Sequence, residues 1–573
     1  MQQPRIKFPY GISNFEKLVT QDYRFVDKTH FIELLEKEEN YSVFLRPRRM
    51  GKSLFVSILE YYYDIREKDK FDKLFSKYYI GQHPTPKANA YRVLKFDFSG
   101  IDSQTAESSY RGFLLSIRFT ISTFMERHGL FEAEDREFII AQKTPGELMK
   151  AFFKYWKERT QDNIPIYLLI DEYDHFTNEI LIRDLSEFKK SVSQDGYVRK
   201  FYESIKIATQ QGFIDRFFIT GVSPITMDGL TSGFNMVKHL TTDERFFDMV
   251  GFREDEVSVL LDLVLEDKSR KPSIMEDLKK WYNGYGFSPE STETVYNSDM
   301  VLYFFGHFKI KQLYPRQMLD PNIMPDYGKL MQLFQIANIQ ENIEVLETVL
   351  QDGYISCDLI YQFFFEKPFD KTSFINLLYY LGNLTIGGIE PATGYPKFVI
   401  PNYVIERLYW QYYAMVLQEQ ADLGYNTSII QEAVVGAAKG NISLLFQLLQ
   451  KVLEGLSNRD FQRFDEKYIK CVLMSYLHHA PFYFLRSERE VTNDGYLDLE
   501  VLQHPDNLSS PQQYVIELKY LKQSEAEQLD ATMDSAKAQL QSYLEVDEIL
   551  QHTPRLKAIA VVVVKDQVYF EEC

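Results

Sequence analysis

Two short motifs, set apart by about the length of one domain, constrain this chain more than any other feature. The first is Met50-Gly51-Lys52-Ser53, which lies between a short apolar run, Tyr41–Leu45, and a helical pattern that begins at Leu54. The second is Tyr167-Leu-Leu-Ile-Asp171-Glu172, in which four apolar residues end in two carboxylates. A Gly-Lys-Ser turn between a strand and a helix surrounds a phosphate with backbone N–H groups, a lysine and a hydroxyl. In this order, the two motifs predict nucleotide binding.

The residue types in these motifs match the chemistry of a bound nucleoside triphosphate. Lys52 would reach the β and γ oxygens, Ser53 and Asp171 would hold Mg²⁺, and Glu172 would orient and polarise the attacking water. The predicted cofactor-binding set is completed by five residues: Arg49, Met50, Gly51, Leu54 and Thr220. The alternative for Thr220 is a simple strand-ending turn, and Ser223 is a second candidate for sensing the γ-phosphate. Asp97 ends another predicted strand and either lines the site or caps a helix.

The phosphate loop departs from the strict GxxxxGK[ST] pattern at its first position, where Arg46 replaces glycine. Glycine gives the backbone wide conformational freedom, so its loss predicts a different entry into the loop. Arg46, Arg48 and Arg49 could add positive charge against phosphates, or face solvent or a partner subunit. Arg245 is one candidate among many for an arginine that completes a neighbour's site, which would require a homo-oligomer.

A second set of residues, near the C-terminus, predicts a metal-dependent nuclease. Asp498 precedes Glu517-Leu-Lys519, and residues 517 and 519 of a strand point to the same face. Carboxylates can hold Mg²⁺ or Mn²⁺ beside a phosphodiester, and a lysine can stabilise charge on it. An exposed, salt-bridged strand is the alternative. Glu466, Gln539 and Tyr543 are predicted accessory residues, although the last two could be plain surface. Glu488 and Glu500 are interpreted as surface or strand-edge charge.

Composition limits where such a protein acts. The chain has 573 residues and a net charge of −18, which disfavours tight non-specific DNA binding outside a small basic cleft. Its three cysteines have no CxxC spacing, which argues against a disulfide framework or a structural zinc site. The N-terminus lacks an apolar signal core, and the apolar run Ala558–Val564 is too short for a bilayer. We therefore expect a cytoplasmic protein with no membrane partner.

The order of predicted elements gives an α/β fold class with several domains. In residues 1–230, strands alternate with helices, which predicts the parallel sheet of a P-loop NTPase with helices on both faces. Residues 231–400 form a helical lid in which a helix and a hairpin outline a winged helix or a generic connector. Residues 401–458 form a helical connector that ends in a loop-like break at Ser457–Asp460. Residues 459–573 follow the αβββαβ order of a restriction-endonuclease-like domain.

In combination, the motifs resemble those of a known family. Four segments are similar to motifs of bacterial AAA-ATPase-like proteins that carry a C-terminal PD-(D/E)xK nuclease domain: Arg46-Pro-Arg-Arg-Met-Gly-Lys-Ser53, Leu168-Leu-Ile-Asp-Glu-Tyr-Asp174, Ile219-Thr-Gly-Val-Ser223 and Trp281-Tyr-Asn-Gly-Tyr285. Phe25-Val-Asp-Lys-Thr29 resembles the N-terminal signature of that family, in which the missing first glycine is usual. The resemblance covers nearly the whole chain and implies ATP and Mg²⁺ as cofactors and DNA as a partner.

Two functional hypotheses from different classes follow. In the first, an ATPase controls a Mg²⁺-dependent deoxyribonuclease, and the middle region relays the nucleotide state or grips nucleic acid. Genome maintenance or defence against foreign DNA is the biology expected from the family. In the second, the chain is a nucleotide-dependent switch or scaffold with a catalytically inactive nuclease fold. A metabolic P-loop kinase is disfavoured because it leaves the C-terminal residues unexplained.

Overall fold

The chain divides into two compact units. A computed structural model describes residues 6–193, 195–225, 237–315, 318–322, 330–363, 369–420, 427–455, 466–480, 482–492, 495–503 and 511–573. The first unit comprises residues 1–312, 328–345 and 354–402, and the second comprises residues 313–327, 346–353 and 403–573. The predicted domain boundaries at residues 230 and 458, with the loop-like break at Ser457–Asp460, lie outside the described residues.

The first unit is built on a five-stranded parallel sheet. Its strands are β1 (Tyr41–Leu45), β2 (Arg92–Asp97), β3 (Ile166–Asp171), β4 (Ile214–Gly221) and β5 (Lys238–His239). They lie in the order β2-β3-β4-β1-β5. β3 is buried at every position, as expected of a strand covered by helices on both faces. β4 lies between β1, which leads into the Gly-Lys-Ser turn, and β3, which ends at Asp171.

Helices connect these strands and fill the rest of the unit. They are α1 (Phe15–Thr20), α2 (Phe31–Lys37), α3 (Lys52–Tyr63), α4 (Phe71–Phe75), α5 (Tyr79–Gln82), α6 (Ala106–Arg127), α7 (Ala133–Ile140), α8 (Pro145–Arg159), α9 (His175–Arg183), α10 (Leu185–Val192), α11 (Tyr197–Gln210), α12 (Glu254–Val264), α13 (Lys271–Tyr282), α14 (Ser298–Lys311) and α15 (Ile339–Asp352), whose last turns belong to the second unit. Local sequence fixes several of the starts. Thr105 and Ser108 form a capping box at α6, and Thr144 caps α8 just before Pro145.

The apolar pattern predicts a long amphipathic stretch from about Ile180 to Gln211 and a helix from Met331 to Asp352, and both are broken in the structure. The first is divided among α9, α10 and α11, and the Asp184 side chain starts α10 by accepting from the N–H groups of Ser186 and Glu187. The stretch from Met331 to Asp352 breaks before Ile339, where Ala337 adopts a φ of 56°. The Asn342 side chain donates to the carbonyls of residues 334 and 336 and satisfies that break.

Three further strands of the first unit form a small antiparallel sheet. β6 (Tyr354–Ser356), β7 (Thr385–Ile389) and β8 (Pro396–Val399) lie in the order β6-β8-β7, and α16 (Lys371–Tyr380) precedes the β7–β8 hairpin. The predicted helix and hairpin are therefore present. α16 buries every residue from Phe374 to Tyr380, so it offers little side-chain surface to a nucleic acid.

The second unit combines helices with a mixed five-stranded sheet. Its helices are α17 (Tyr403–Gln420), α18 (Thr427–Ala438), α19 (Ser443–Gly455), α20 (Glu466–Leu477), α21 (Leu529–Val546) and α22 (Glu548–His552). Its strands are β9 (Tyr483–Thr492), β10 (Gly495–Gln503), β11 (Gln513–Leu521), β12 (Leu556–Val564) and β13 (Gln567–Glu572), in the order β13-β12-β11-β10-β9. β11 and β12 are parallel and the other neighbours antiparallel. The run from α20 to β12 has the predicted αβββαβ order.

Each unit has its own apolar core. In the first, aromatic and aliphatic side chains of α3, β1 and β3 pack with residues 240–250 and with Tyr285 and Phe287. In the second, the alternate alanine and valine residues of β12 pack against Met533, Leu540 and Tyr543 of α21. Within the described part of the chain, no helix has the length and apolar character needed to cross a membrane.

Candidate nucleotide and metal sites

The residues predicted to bind a nucleotide meet at the carboxyl edge of the parallel sheet, where ligands of such sheets bind. Lys52 opens α3 directly after β1, Asp171 is the last residue of β3, and Thr220 lies at the end of β4 between them. Gly51 caps α3 with a φ of 100°, a left-handed conformation that strains any residue with a β-carbon. The Gly-Lys-Ser turn therefore has the backbone that its sequence predicts.

Lys52 is buried and turned back onto its own loop. Its Nζ donates to the carbonyl of Arg46 at 3.0 Å and to that of Pro47 at 2.9 Å. Burial lowers the pKa of the Lys52 ammonium, and the Glu172 and Asp171 carboxylates oppose that change. The amine is thus held by neutral acceptors inside the loop, where the charges of Asp171 and Glu172, at the end of β3, act on it.

Arg46 does not occupy any of the positions expected from the sequence. Its side chain is 1% exposed, and its guanidinium donates to the carbonyls of Leu45, Thr241 and Phe246. It also stacks on Phe287, with 3.8 Å between the guanidinium carbon and the ring centre. Burial lowers the pKa of this guanidinium to about 9. Arg46 is therefore buried and faces neither the phosphate position nor solvent. Its hydrogen bonds connect the start of the loop to residues 241–247.

Other parts of the first unit hold the outer side of the loop. The Ser298 hydroxyl and the Asp299 N–H, at the start of α14, both donate to the Arg49 carbonyl. The Gly251 N–H donates to the Met50 carbonyl at 2.8 Å. A β-carbon on Gly382 would lie 2.6 Å from the Pro47 side chain. The loop is therefore fixed from outside by α14, by residue 251 and by the start of the β7–β8 hairpin.

Asp171 and Ser53 lie together at the inner end of the loop. The Ser53 hydroxyl is hydrogen-bonded to the Asp171 carboxylate, and Asp171 is 3% exposed. Burial raises the pKa of the Asp171 carboxyl to about 6, and the Asp97 and Glu172 carboxylates add to the rise. Asp97 lies beside Asp171 in the register of β2 and β3, which places it at the edge of the site.

Glu172 follows Asp171 in a left-handed conformation, with a φ of 49°. Its carboxylate approaches the imidazole of His175, with 3.3 Å between Oε2 and Nδ1. The same Nδ1 lies 3.1 Å from a guanidinium nitrogen of Arg48. His175 therefore connects Glu172 to the loop, and sequence reasoning missed this residue. The only signal was its position, three residues after a glutamate in a helix-opening turn.

The two candidates for sensing a γ-phosphate differ. The Thr220 Oγ1 is buried and has no hydrogen-bond partner among the described residues. The Ser223 hydroxyl bonds with the buried side chains of Asp174 and Asn178, so it is committed to the fold. Arg245 is also committed, since it pairs with Asp243 and Glu38 at 2.6 Å each.

The second unit brings Asp498, Glu517 and Lys519 together on β10 and β11. Lys519 Nζ donates to Glu517 Oε1 at 2.8 Å, and Asp498 Oδ2 accepts from the N–H of Leu518 at 2.8 Å. Glu517 is 1% exposed, and its Oε2 has no hydrogen-bond partner within the described ranges. Burial raises the pKa of the Glu517 carboxyl to about 7, and the Asp498 carboxylate adds to the rise. The exposed-strand alternative is wrong for Glu517.

The three predicted accessory residues surround this group. Glu466, at the start of α20, accepts from the N–H of Tyr520 at 3.4 Å. On α21, the Gln539 amide donates to the Tyr543 hydroxyl at 2.7 Å, and that hydroxyl donates to the Tyr496 carbonyl on β10. Tyr543 is buried, so this pair joins α21 to the strand that carries Asp498.

The interpretation of Glu500 as surface or strand-edge charge is wrong. Glu500 is 1% exposed and pairs with Arg489 at 2.6 Å. Arg489 also binds Asp547, which follows α21. A buried carboxylate needs such a cation, but its partner lies on the neighbouring strand and cannot be read from the local sequence. The side chain of Glu488 lies outside the described residues.

The residues around Asp171 and those around Asp498 each offer oxygen ligands suited to a divalent cation that takes few ligands from the protein. Within the described ranges, no three His, Cys, Asp or Glu side chains are grouped as a metal site. Mg²⁺ often binds through one or two carboxylates together with substrate phosphates, and so needs no larger set. Asp171 with the Ser53 hydroxyl, and Asp498 with the unpartnered Glu517 oxygen, supply such pairs of oxygen ligands.

Comparison with known families agrees with this geometry in both units. Residues 9–231 match the family described as "Predicted AAA-ATPase", and residues 464–572 match the PD-(D/E)XK nuclease superfamily. The matched ranges contain the Gly-Lys-Ser turn with Asp171, and Asp498 with Glu517.

Individual proteins are similar to this chain at low sequence identity. An "Uncharacterized protein in vnfD 5'region" from Azotobacter chroococcum mcd 1 is 28% identical over 314 residues, which are 52% of this chain and 52% of the relative. The chain thus spans about half the length of this curated relative. The Walker-type ATPase PABY2304 of Pyrococcus abyssi matches with a TM-score of 0.39 and 10% identity over 71% of this chain and 99% of the other. The Aeropyrum pernix ORC1 protein in complex with DNA matches with a TM-score of 0.29 and 10% identity over 69% and 95%. The family matches show that the chain carries an AAA-ATPase-like region followed by a region of the PD-(D/E)XK nuclease superfamily type.

Proposed function

We propose that the chain binds and hydrolyses ATP in its first unit and that the nucleotide state controls Mg²⁺-dependent DNA cleavage in its second unit. The observation that carries the proposal is that, within each unit, the residues predicted for its site lie close together. Each site holds a buried carboxylate with a raised pKa. In the second site Glu517 pairs directly with Lys519, and in the first the charge of Asp171 acts on Lys52 without a direct contact. Perturbed carboxylates in such clusters are typical of catalytic sites.

In the first site, Lys52 and the backbone of residues 49–54 would bind the phosphates. The loop's N–H groups and the start of α3 suit an anion. Ser53 and Asp171 would hold Mg²⁺, which supplies charge neutralisation on the phosphate oxygens when bound. Glu172 would orient the attacking water, and the unpartnered hydroxyl of Thr220, between β1 and β3, would contact the γ-phosphate.

In the second site, Asp498 and Glu517 would hold the cation beside the scissile phosphate, with Mn²⁺ as a substitute for Mg²⁺. Lys519 would then leave Glu517 and stabilise charge on the phosphate. Glu466 lies close enough to add to the negative potential at Glu517 and Lys519. Gln539 and Tyr543 would keep the β10 backbone, and so Asp498, in place.

The strongest competing function is a nucleotide-dependent switch or scaffold with an idle nuclease fold. The net charge of −18 is the observation in its favour, because DNA-binding surfaces are usually basic. The intact Asp498, Glu517 and Lys519 group favours cleavage. A role in genome maintenance or in defence against foreign DNA, a cytoplasmic location and a homo-oligomeric state are further parts of the proposal and rest on family resemblance and cysteine usage.

The test is cleavage of plasmid and linear DNA by wild-type protein and by Glu517→Ala, with Mg²⁺ or Mn²⁺ and with or without ATP. Asp534→Ala, which removes a strongly exposed carboxylate of α21, is the matched control. We expect cleavage by wild type and the control, its loss in Glu517→Ala, and a rate that depends on ATP. Cleavage that survives Glu517→Ala would place the nuclease site elsewhere, and no cleavage under any condition would favour the switch.

A further inference from the structure

The geometry points to His175 as a positioning residue that links the phosphate loop to the hydrolytic glutamate, Glu172. This inference rests on the proposed ATP hydrolysis and adds a residue to its machinery. His175 is the first residue of α9, directly after the turn that carries Asp171 and Glu172. Its side chain is 21% exposed, so it lies at the rim of the site and not in the core.

The two neighbours of His175 Nδ1 make opposite demands on it. An arginine guanidinium only donates hydrogen bonds, so Arg48, at 3.1 Å, requires a lone pair on Nδ1. A carboxylate only accepts them, so Glu172, at 3.3 Å, requires a proton on the same atom. One nitrogen cannot serve both at once. The imidazole therefore bonds either with the loop or with Glu172.

The other ring nitrogen supports both arrangements. Nε2 lies 3.7 Å from Oε1 of Glu179, one helical turn along α9, and Glu179 is itself bonded by the Ser103 hydroxyl. The Nε2 edge of the ring therefore faces the Glu179 carboxylate whichever partner Nδ1 has. The ring is thus anchored at one side while its Nδ1 exchanges between Arg48 and Glu172.

Glu172 depends on this contact for its orientation. Among the described residues, His175 is the ion-pair partner of its carboxylate, and the Glu172 side chain is 27% exposed. Its backbone is in the left-handed region, with a φ of 49°. Without the imidazole, the carboxylate would be free to adopt several rotamers, which is costly for a group that must hold one water molecule.

Nucleotide binding would decide between the two arrangements. A triphosphate in the loop offers Arg48 a strong bidentate acceptor, which competes with its contact to His175 Nδ1. Once Arg48 turns to the phosphates, the partly exposed ring can take a proton on Nδ1 by exchange with solvent, and Nδ1 can then donate to Glu172. The glutamate then becomes fixed only when the loop is occupied. His175 should therefore affect turnover and leave nucleotide affinity almost unchanged.

The test compares ATP binding and steady-state hydrolysis of full-length wild type, His175→Phe and His175→Asn, with and without DNA. Phenylalanine keeps the ring but removes both nitrogens, whereas the asparagine amide can replace Nδ1. We expect His175→Phe to lower kcat by about tenfold or more with a nucleotide affinity within about threefold of wild type. His175→Asn should recover most of that loss. His307→Phe, the same change at an exposed histidine of α14, should hydrolyse ATP as wild type does.

A second comparison uses the loop partner. Arg48→Ala should weaken nucleotide binding on its own, because Arg48 would also contact the phosphates, but at saturating ATP the kcat loss of Arg48→Ala combined with His175→Phe should be smaller than the product of the two single losses. Wild-type kcat in His175→Phe, or an asparagine variant no better than phenylalanine, would overturn the inference. So would equal losses of kcat, affinity and thermal stability, which would show a merely structural role. If wild type binds ATP and never hydrolyses it, the proposed hydrolysis fails as well.

Discussion

The two sites hold their lysines in opposite ways. In the first unit, Lys52 donates to two neutral carbonyls of its own loop, while Asp171 bonds with Ser53. In the second, Lys519 pairs directly with the Glu517 carboxylate, and Asp498 accepts from a backbone N–H. One site keeps its cation apart from its carboxylate, and the other joins them.

This difference fits what each site has to receive. A loop whose lysine is held by weak, neutral acceptors can release it to a strong anion such as a phosphate group. A carboxylate paired with lysine gives up that partner when a divalent cation arrives, since the cation carries more charge at closer range. The first site is therefore arranged for an anion with Mg²⁺ beside it, and the second for a cation that comes before the phosphodiester.

Replacing each lysine by alanine, and measuring both ATP binding and DNA cleavage, gives the largest expected effect. Lys52→Ala should weaken ATP binding by roughly a thousandfold, because the phosphates lose a buried, charge-assisted partner. Lys519→Ala should lower DNA cleavage by roughly a hundredfold or more and leave ATP binding within about twofold. Titration with a fluorescent nucleotide and a plasmid-nicking assay measure the two effects.

The controls are conservative exchanges at the same positions. Lys52→Arg and Lys519→Arg keep the charge and should lose less than the alanine variants. Normal ATP affinity in Lys52→Ala would refute the assignment of the loop, and equal effects of both alanine variants on ATP binding would remove the contrast between the sites.

The next effect concerns the buried arginine of the loop. Arg46→Gly restores the strict phosphate-loop pattern, yet it should lower the stability of the first unit by about 3 kcal/mol, because three carbonyls lose their donor and a cavity opens beside Phe287. Arg49→Gly, at a side chain 39% exposed, should cost less than about 1 kcal/mol. Chemical unfolding monitored by circular dichroism compares the two, and a stabilising Arg46→Gly would contradict this account.

The smallest expected effect is on the pH dependence of stability, which should differ between the buried carboxylates of Glu517 and Asp171. Burial raises the pKa of the Glu517 carboxyl to about 7, so the folded state favours its protonated form. The stability that this form contributes to the protein is fully present below the ordinary carboxyl pKa and is lost as the pH rises through 7. Glu517→Gln should match wild type near pH 4.5 and exceed it at pH 8, by about 1 to 2 kcal/mol without metal. For Asp171→Asn the gain should be complete at lower pH, since its pKa is about 6.

Thermal unfolding at several pH values in EDTA measures both differences. Adding Mg²⁺ should reverse the sign for Glu517→Gln, because the cation stabilises the carboxylate of wild type and not the amide. A pH-independent difference would mean that Glu517 is ionised throughout the range.

Local sequence was sufficient where the structure depends on neighbours in the chain. The bounds of β1 agree with the predicted apolar run, and β12 contains the apolar run Ala558–Val564 and begins two residues before it. Asp498, Glu517 and Lys519 converge because strand periodicity and order determine their faces. The Gly-Lys-Ser turn was equally readable, since Gly51 needs its left-handed φ for a local reason.

Partners distant in the sequence account for what was missed. Arg46 was expected near phosphate or solvent, but its acceptors at Thr241 and Phe246 lie far along the chain. Glu500 was expected at the surface as a charged residue, and its burial could not be predicted because its partner, Arg489, lies on the neighbouring strand. β13 escaped prediction because nearly all of its residues are exposed and show no buried alternation. Single-sequence reasoning therefore finds motifs and misses the packing that holds them.

The central claim is that the nucleotide state of the first site controls cleavage at the second. Glu172→Gln should bind ATP with Mg²⁺ and hydrolyse it roughly a hundredfold more slowly than wild type, so it holds the ATP-bound state. The decisive measurement is the rate of DNA cleavage by this variant with and without ATP. We predict that ATP changes this rate at least about fivefold, a coupling of roughly 1 kcal/mol. The same rate in both conditions, from a variant that demonstrably binds ATP and cleaves DNA, would contradict the account.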